Sequence, residues 1–359
     1  MLSNLFSVEY IDSLCLLAAH SQASDLFLYS GRVPQIRVNG EITEADTRPL
    51  SKEELALFWN HCGAASDALD FDGSHTSSDG RRYRVNLYRS LDQRGAVLRP
   101  IKMVIPSLDS LGVPTALLTS WIGRPAGLVL VTGATGSGKS TTLASGLDWL
   151  NQNTHRHIVT IEDPIEYLFQ PQNCLFTQRE VGSDTSSFAE GLKRSLRQSP
   201  DVILLGEIRD GPSAITALQA AETGHLVLAT MHSSNVLDSL ERVSRLFDPQ
   251  ERESVLYVLS QQLVGILCQK LVPDQRDGRA LVVEHFENQA VTRKWIQEGK
   301  FRELADFVAK GDNPTNVTFL KSLATLVQTK RISEATALQA ASSPHELQRL
   351  LRGINASSL

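Results

Sequence analysis

Apolar side chains recur at helical spacing near the start of the chain, with Ile11, Leu14, Cys15 and Ala18 on one face, the stripe of an amphipathic helix lying on a core. Val33 to Val38 then alternates toward Asn39-Gly40, a pair that accepts the left-handed backbone of a tight hairpin turn. Ser51 and Glu54 are spaced as a capping box, in which each side chain satisfies a free backbone N–H of the other. Behind it, Leu55, Phe58, Trp59 and Cys62 mark one face of a second helix. Arg82 to Tyr88 and Ala96 to Ile101 read as strands separated by polar turn residues. Residues 1–105 are thus expected to form a small α/β domain. Pro106, Gly112-Val113-Pro114 and Pro125 punctuate 106–125, which is expected to be a linker leading into a second domain over 126–359.

From Gly127 the pattern changes. Leu128–Val131, Ile158–Ile161, Val202–Leu205 and Leu226–Ala229 are short, fully apolar runs alternating with helical segments. Strands buried on both faces and separated by helices predict a parallel sheet in an α/β core. Beyond about residue 235 the chain reads as mostly helical, with one strand near Ala280–Val283 and a loose tail over Asn355–Leu359. No internal repeat or low-complexity tract interrupts it.

Composition changes this picture little. The 359 residues suffice for two domains at about 150 residues each, and 42% hydrophobic, 21% charged residues supply an ordinary core. A net charge of -5 gives no bulk basic field to attract nucleic acid. Cys15, Cys62, Cys174 and Cys268 are far apart in sequence and form no C-x-x-C pair, which argues against a zinc knuckle or redox motif and for scattered thiols in a reducing compartment. No Lys or Arg occurs in the first 31 residues, so a basic-headed secretory signal is not expected. No apolar run reaches the ~20 residues of a membrane span. The expectation is a cytoplasmic protein that meets a membrane only through partners.

The candidate chemistry begins at Gly133-Ala134-Thr135-Gly136-Ser137-Gly138-Lys139-Ser140-Thr141, which fits G-x-x-x-x-G-K-[S/T]. Glycines let successive backbone N–H groups turn inward around phosphate oxygens, Lys139 supplies a mobile cation, and the helix that follows presents its positive end. Ser140 is placed to ligate Mg²⁺. A chance match of this pattern arises on the order of once per hundred chains of this length; here an apolar strand precedes it, and Leu143 and Leu147 begin an amphipathic helix after it. ATP binding is therefore expected.

Ligands of parallel sheets sit at the carboxyl ends of strands, so neighbouring runs can be searched for what they deliver there. Asp201 opens the run ending at Gly206-Glu207 and stands roughly 20 Å from Glu207 at about 3.3 Å per residue; only Glu207 can reach the phosphates or the Mg²⁺. The run Ile158–Ile161 delivers Glu162-Asp163-Pro164-Ile165-Glu166, three carboxylates whose crowding is costly unless a metal, an arginine or a water uses them; the other reading is a solvated acidic loop. Ala229-Thr230-Met231-His232 brings an imidazole to the same edge, as a γ-phosphate sensor or as a structural histidine. His225, at the beginning of that strand, is the weaker nucleotide candidate.

In this order and spacing the blocks resemble the secretion and type IV pilus ATPases. Thr160–Glu166 is similar to that superfamily's Asp box, Leu205-Gly206-Glu207-Ile208-Arg209-Asp210 to its atypical Walker B, and Thr223-Gly224-His225 through His232 to its His box. Ala23-Ser24-Asp25-Leu26, Ile36–Gly40, Arg82–Asn86 and Ser343–Gly353 resemble the pilus-retraction branch. The resemblance implies an amino-terminal PAS-like domain followed by a RecA-like P-loop ATPase domain with a helical carboxyl-terminal region, assembled as a homo-hexamer on an inner-membrane pilus or secretion platform. By the same resemblance Glu166 activates water, Glu207 holds the Mg²⁺ shell and His232 senses the γ-phosphate. Arg84 and Arg99 are candidates to reach the phosphates from the smaller domain; a solvated strand face or a domain salt bridge accounts for them equally well.

The chain departs from the retraction branch in two places. Val291-Thr292-Arg293-Lys294-Trp295-Ile296-Gln297-Glu298 stands where that branch carries Ala-Ile-Arg-Asn-Leu-Ile-Arg-Glu, and Phe27 replaces a histidine. Pilus-extension and type II secretion ATPases carry a four-cysteine zinc element that is missing here. The alternatives are an ATPase of a conjugation or type IVB (Dot/Icm-like) system and, in another class, a non-hydrolysing ATP-binding accessory subunit, which the intact Glu166, Glu207 and His232 oppose. A DNA-dependent recombinase or helicase is disfavoured by the charge of -5.

Overall fold

A computed structural model describes residues 2–45, 47–276, 278–310 and 315–353; the tail expected over 355–359 lies outside them. The chain divides into two compact units, one of residues up to Met103 together with Glu166–Leu168, the other of Val104–Ile165 and the chain from Phe169 onward.

The first unit contains α1 (Leu2–His20), β1 (Asp25–Tyr29), β2 (Gln35–Val38), β3 (Glu41–Glu44), α2 (Lys52–His61), β4 (Asp70–Thr76), β5 (Arg82–Ser90) and β6 (Gln93–Pro100). The strands form one antiparallel sheet in the order β3-β2-β1-β6-β5-β4. Asn39 and Gly40 make the β2–β3 turn with φ of 53° and 89°, the left-handed pair that a twisted hairpin needs. Ile11, Leu14, Cys15 and Ala18 of α1 and Leu55, Phe58 and Trp59 of α2 are all buried against Leu26, Leu28, Val85, Leu87 and Leu98. Each such side chain contributes about 1.5–3 kcal/mol by leaving water. The capping box forms, with Ser51 Oγ accepting the Glu54 N–H at 3.1 Å and Glu54 Oε2 accepting the Ser51 N–H at 2.8 Å. β1 and β4 had no clear signature: β4, Asp-Phe-Asp-Gly-Ser-His-Thr, is an edge strand whose form comes from pairing with β5.

The second unit is built on a seven-stranded sheet. Its elements are α3 (Thr115–Ile122), β7 (Gly127–Gly133), α4 (Lys139–Asn153), β8 (His157–Glu162), β9 (Leu175–Glu180), α5 (Phe188–Ser195), β10 (Val202–Leu205), α6 (Gly211–Glu222), β11 (Leu226–Met231), α7 (Val236–Arg245), α8 (Arg252–Gln262), β12 (Leu263–Pro273) and β13 (Arg279–Glu287), then α9 (Ala290–Gln297), α10 (Phe301–Lys310), α11 (Phe319–Gln328), α12 (Glu334–Ala340) and α13 (Pro344–Leu351). The order is β13-β12-β7-β11-β10-β8-β9, parallel throughout except for β13. Every residue of β7, β10 and β11 is buried, as the unbroken apolar runs require. This is the α/β, RecA-like core that the resemblance implied, with its carboxyl-terminal helices packed on the same core through Ile296, Leu304, Leu323 and Leu347.

The expectation of a mostly helical chain after residue 235 is corrected by β12, eleven residues long. Leu256, Leu259, Leu263 and Leu267 continue a helical spacing, and no Gly or Pro separates Gln262 from Leu263. A wholly buried strand and a buried helix look alike under those conditions. Gly265 of β12 is required by packing, since a Cβ there would sit 2.5 Å from the Trp121 ring of α3.

Candidate nucleotide site

The phosphate loop joins β7 to α4. Gly133 has φ of 145°, and a Cβ on it would lie 2.4 Å from the Gln269 carbonyl oxygen and 2.5 Å from Ser137 Oγ, so the backbone closes here only without a side chain. Gly138, with φ of 93°, is the N-cap of α4, whose first turn of free N–H groups faces the loop with the positive end of the helix dipole. Lys139 is buried and folds back on its own loop, its Nζ donating to the Gly133 carbonyl at 2.9 Å and the Ala134 carbonyl at 3.0 Å. Ser137 Oγ is buried with no hydrogen-bond partner among the described residues. An orphaned hydroxyl inside a ring of amide donors is what a phosphate oxygen would satisfy. Ala134, Thr135 and Gly136 are exposed, and Ser140 and Thr141 are half-buried in the first turn of α4.

Neighbouring strands deliver their ends to this edge. Gly206 N–H donates to the Ile161 carbonyl at 2.7 Å, Ile208 N–H donates to the Thr230 carbonyl at 2.9 Å, and the Thr230 hydroxyl donates to the Gly206 carbonyl. Glu207 is thereby held between β8 and β11. Its Oε2 accepts from Arg209 Nε at 2.6 Å, its Oε1 lies 3.4 Å from His232 Nε2, and Arg209 Nη1 reaches Asp163 Oδ2 at 3.2 Å. His232 follows the last residue of β11, and its carbonyl accepts from Arg242 Nη1 at 2.6 Å. Burial pushes the His232 imidazole below its ordinary range, with the Lys139, Arg242 and Arg209 charges adding to this against the pull of Glu207. The imidazole is therefore neutral near pH 7, with one nitrogen donating and one accepting.

Lys139, Glu207 and His232 thus share the edge at which the cradle opens. Glu166 belongs to the stretch Glu166–Leu168 that packs with the first unit, where its carbonyl accepts the Lys102 N–H at 3.1 Å. Arg84 and Arg99 stand directly opposite each other on β5 and β6. Like charges in that register repel, and each arginine has an acid: Arg99 Nη2 reaches Asp25 Oδ1 at 2.6 Å, Arg84 Nη2 reaches Asp72 Oδ1 at 3.9 Å. His225 lies at the amino end of β11, as expected of the weaker candidate, beside Gly127 rather than Gly133, and its Nδ1 meets the Ala220 carbonyl at 3.0 Å, closing the end of α6. Arg209 and Arg242 carry no role in the sequence reading; the signal for Arg209 is its place in the Leu205–Asp210 block, two residues after Glu207.

For Mg²⁺ the donor set fits: the Ser140 hydroxyl and the Glu207 carboxylate are hard oxygen ligands, and few protein ligands beside phosphate oxygens suit an ion that keeps much of its water.

Cradle, acid and imidazole on the carboxyl edge of a parallel sheet define a P-loop ATPase. The family described as Type II/IV secretion system protein matches residues 87–340, and the chain belongs to it. The uncharacterized protein YggR of Escherichia coli is 38% identical over 315 residues, 87% of this chain and 96% of that protein. The type IV pilus retractation ATPase PilT of Pseudomonas aeruginosa is 36% identical over 340 residues, 93% of this chain and 98% of that protein. A crystal structure of the pilus retraction motor PilT with bound ADP covers 94% of this chain and 99% of its own with a TM-score of 0.86 at 36% identity. The ATPase DotB of Legionella pneumophila covers 97% and 96% with a TM-score of 0.82 at 26% identity.

Proposed function

We propose that this ATPase hydrolyses Mg²⁺-bound ATP as one subunit of a homo-hexameric motor that drives type IV pilus retraction. The observation that carries the reading is the gathering of Lys139, Glu207 and His232 at the mouth of the phosphate loop, in a chain alike over nearly its whole length to a pilus retraction motor. On ATP binding, Lys139 exchanges the Gly133 and Ala134 carbonyls for β- and γ-phosphate oxygens, and Ser137 donates to a phosphate oxygen. Ser140 and Glu207 hold Mg²⁺, which when bound neutralises charge on the phosphates. The neutral His232 donates a hydrogen bond to the γ-phosphate, and Glu166 orients the attacking water and takes its proton. Arg84 and Arg99, now held by Asp72 and Asp25, are the further cations offered to the phosphates in the assembled ring. Positioning and charge neutralisation do this chemistry. Among the described residues no helix is long and apolar enough to cross a membrane; on this reading the subunit works from the cytoplasm on an inner-membrane platform protein, as the likeness to a pilus retraction ATPase supports.

The test has two readouts. The purified chain is expected to release phosphate from ATP only with Mg²⁺ and to run as a hexamer by light scattering. Expressed in a bacterium whose own retraction ATPase is deleted, it is expected to restore twitching. Hydrolysis without twitching would remove pilus retraction and favour the type IVB secretion reading, to which the likeness to DotB lends weight. ATP binding without turnover would leave an accessory subunit.

A further inference from the structure

Directly behind the phosphate cradle lies a chain of buried hydroxyls that the mechanism leaves unused. Thr132, the residue before Gly133, is wholly buried, and its hydroxyl donates to Cys268 Sγ at 2.9 Å. Its oxygen lies 3.3 Å from Ser239 Oγ of α7, and Ser239 Oγ lies 2.6 Å from Ser233 Oγ. Ser239 is wholly buried and Ser233 nearly so. The two ends of this chain each adjoin a member of the site in sequence, Thr132 beside Gly133 and Ser233 beside His232.

The chain is closed on both sides. Ser239 Oγ also meets the Asn235 carbonyl at 2.7 Å and Thr132 Oγ1 at 3.3 Å, and in its contact with Ser233 either hydroxyl can donate. Such a chain is satisfied only when its members hold their places, because a buried hydroxyl left without a partner is destabilising. The frame that carries Ser239 is itself fixed. The Glu284 carboxylate of β13 accepts the Val236 N–H at the start of α7 at 2.8 Å, and Arg242, one turn beyond Ser239, holds the His232 carbonyl from outside. The sensor loop is thus gripped by α7 on two sides, and Ser239 links that grip to the strand that ends in the cradle.

We propose that Ser239 is the positioning residue of the γ-phosphate sensor: through Ser233 and Thr132 it keeps the His232 loop in register with the phosphate cradle. This rests on the sensor role proposed for His232. The test is steady-state hydrolysis of Mg²⁺-ATP by the full chain carrying Ser239→Ala, Ser239→Thr, His232→Ala, or Ser239→Ala with His232→Ala. Ser239→Ala is expected to lower kcat about tenfold with KM changed less than about threefold, the pattern of an interaction that matters in the transition state. Ser239→Thr, which keeps the hydroxyl, is expected to restore kcat. In the His232→Ala background Ser239→Ala should add no further loss, because residues acting as a unit are not additive.

A crippled His232→Ala beside a wild-type Ser239→Ala overturns this inference alone. So does an equal loss from Ser239→Ala in both backgrounds, which would mean that the serine serves packing. A wild-type rate for His232→Ala overturns the sensor role first, and the inference with it. Should Ser239→Ala not fold, Ser233→Ala removes the hydroxyl at the other end of the same bond, with the same expectation and the same refutation.

Discussion

Lys139→Ala will lower steady-state ATP hydrolysis by the full chain about a hundred- to a thousandfold, the loss that follows removal of one preorganised charge from a water-excluded site. The side chain is buried, and its Nζ rests on two carbonyls of its own loop, Gly133 at 2.9 Å and Ala134 at 3.0 Å. Those bonds hold the ammonium at the mouth of the cradle, from which it need only swing to meet phosphate oxygens. Alanine cannot replace it, and nothing else in the loop bears charge. Arginine is no substitute either, because a planar guanidinium needs room that a compact ammonium on a flexible stem does not. The loop's glycine geometry and the α4 cap do not depend on the lysine, so circular dichroism and thermal unfolding should stay close to wild type. Phosphate release in a coupled assay supplies the rate. A Lys139→Ala protein that hydrolyses ATP as the wild type does would refute the site as built here.

The elements that reached the site were legible for physical reasons. β7, β10 and β11 are each an apolar run flanked by helices, and β8 is one that follows α4, the pattern that parallel strands buried on both faces must have. Their carboxyl ends could then be placed beside the phosphate loop by rule, and Glu207 and His232 lie there. What stayed hidden depends on pairing between distant segments. β12 has no boundary signal at Leu263, and β4 and β9 are edge strands with polar sequences that take their form from β5 and β8. Arg209 could be read as part of a motif but not as the partner of both Glu207 and Asp163, because that pairing needs the loops after β8 and β10 brought together. His225 shows the same limit in reverse: the residue belongs to a recognisable block, yet its place at the amino end of β11, already legible from strand direction, sets it against α6.

Strand direction is also what the second large effect tests. β10 has an acid beyond each end, and its register with β11, Val202 beside Leu226 and Leu205 beside Ala229, sends Glu207 to the edge of His232 and Asp201 to the edge of His225. Asp201 is exposed, and its Oδ2 accepts the His157 N–H at 2.8 Å. An asparagine oxygen can accept the same bond, so Asp201→Asn should change turnover less than about twofold, within the range of an exposed substitution that breaks nothing. Glu207 is mostly buried and holds Arg209 at 2.6 Å with His232 at 3.4 Å. Glutamine keeps the shape but removes the charge that balances Arg209 and that would hold Mg²⁺, and its amide presents hydrogens toward cations. Glu207→Gln is therefore expected to lower kcat at least about a hundredfold, while ATP affinity, set chiefly by the glycine loop and Lys139, moves less than about threefold. Phosphate release and titration with a fluorescent ATP analogue separate the two quantities. Equal losses from Glu207→Gln and Asp201→Asn would mean that the acids do not differ in their access to phosphate, and the assignment of the catalytic edge would fall with them.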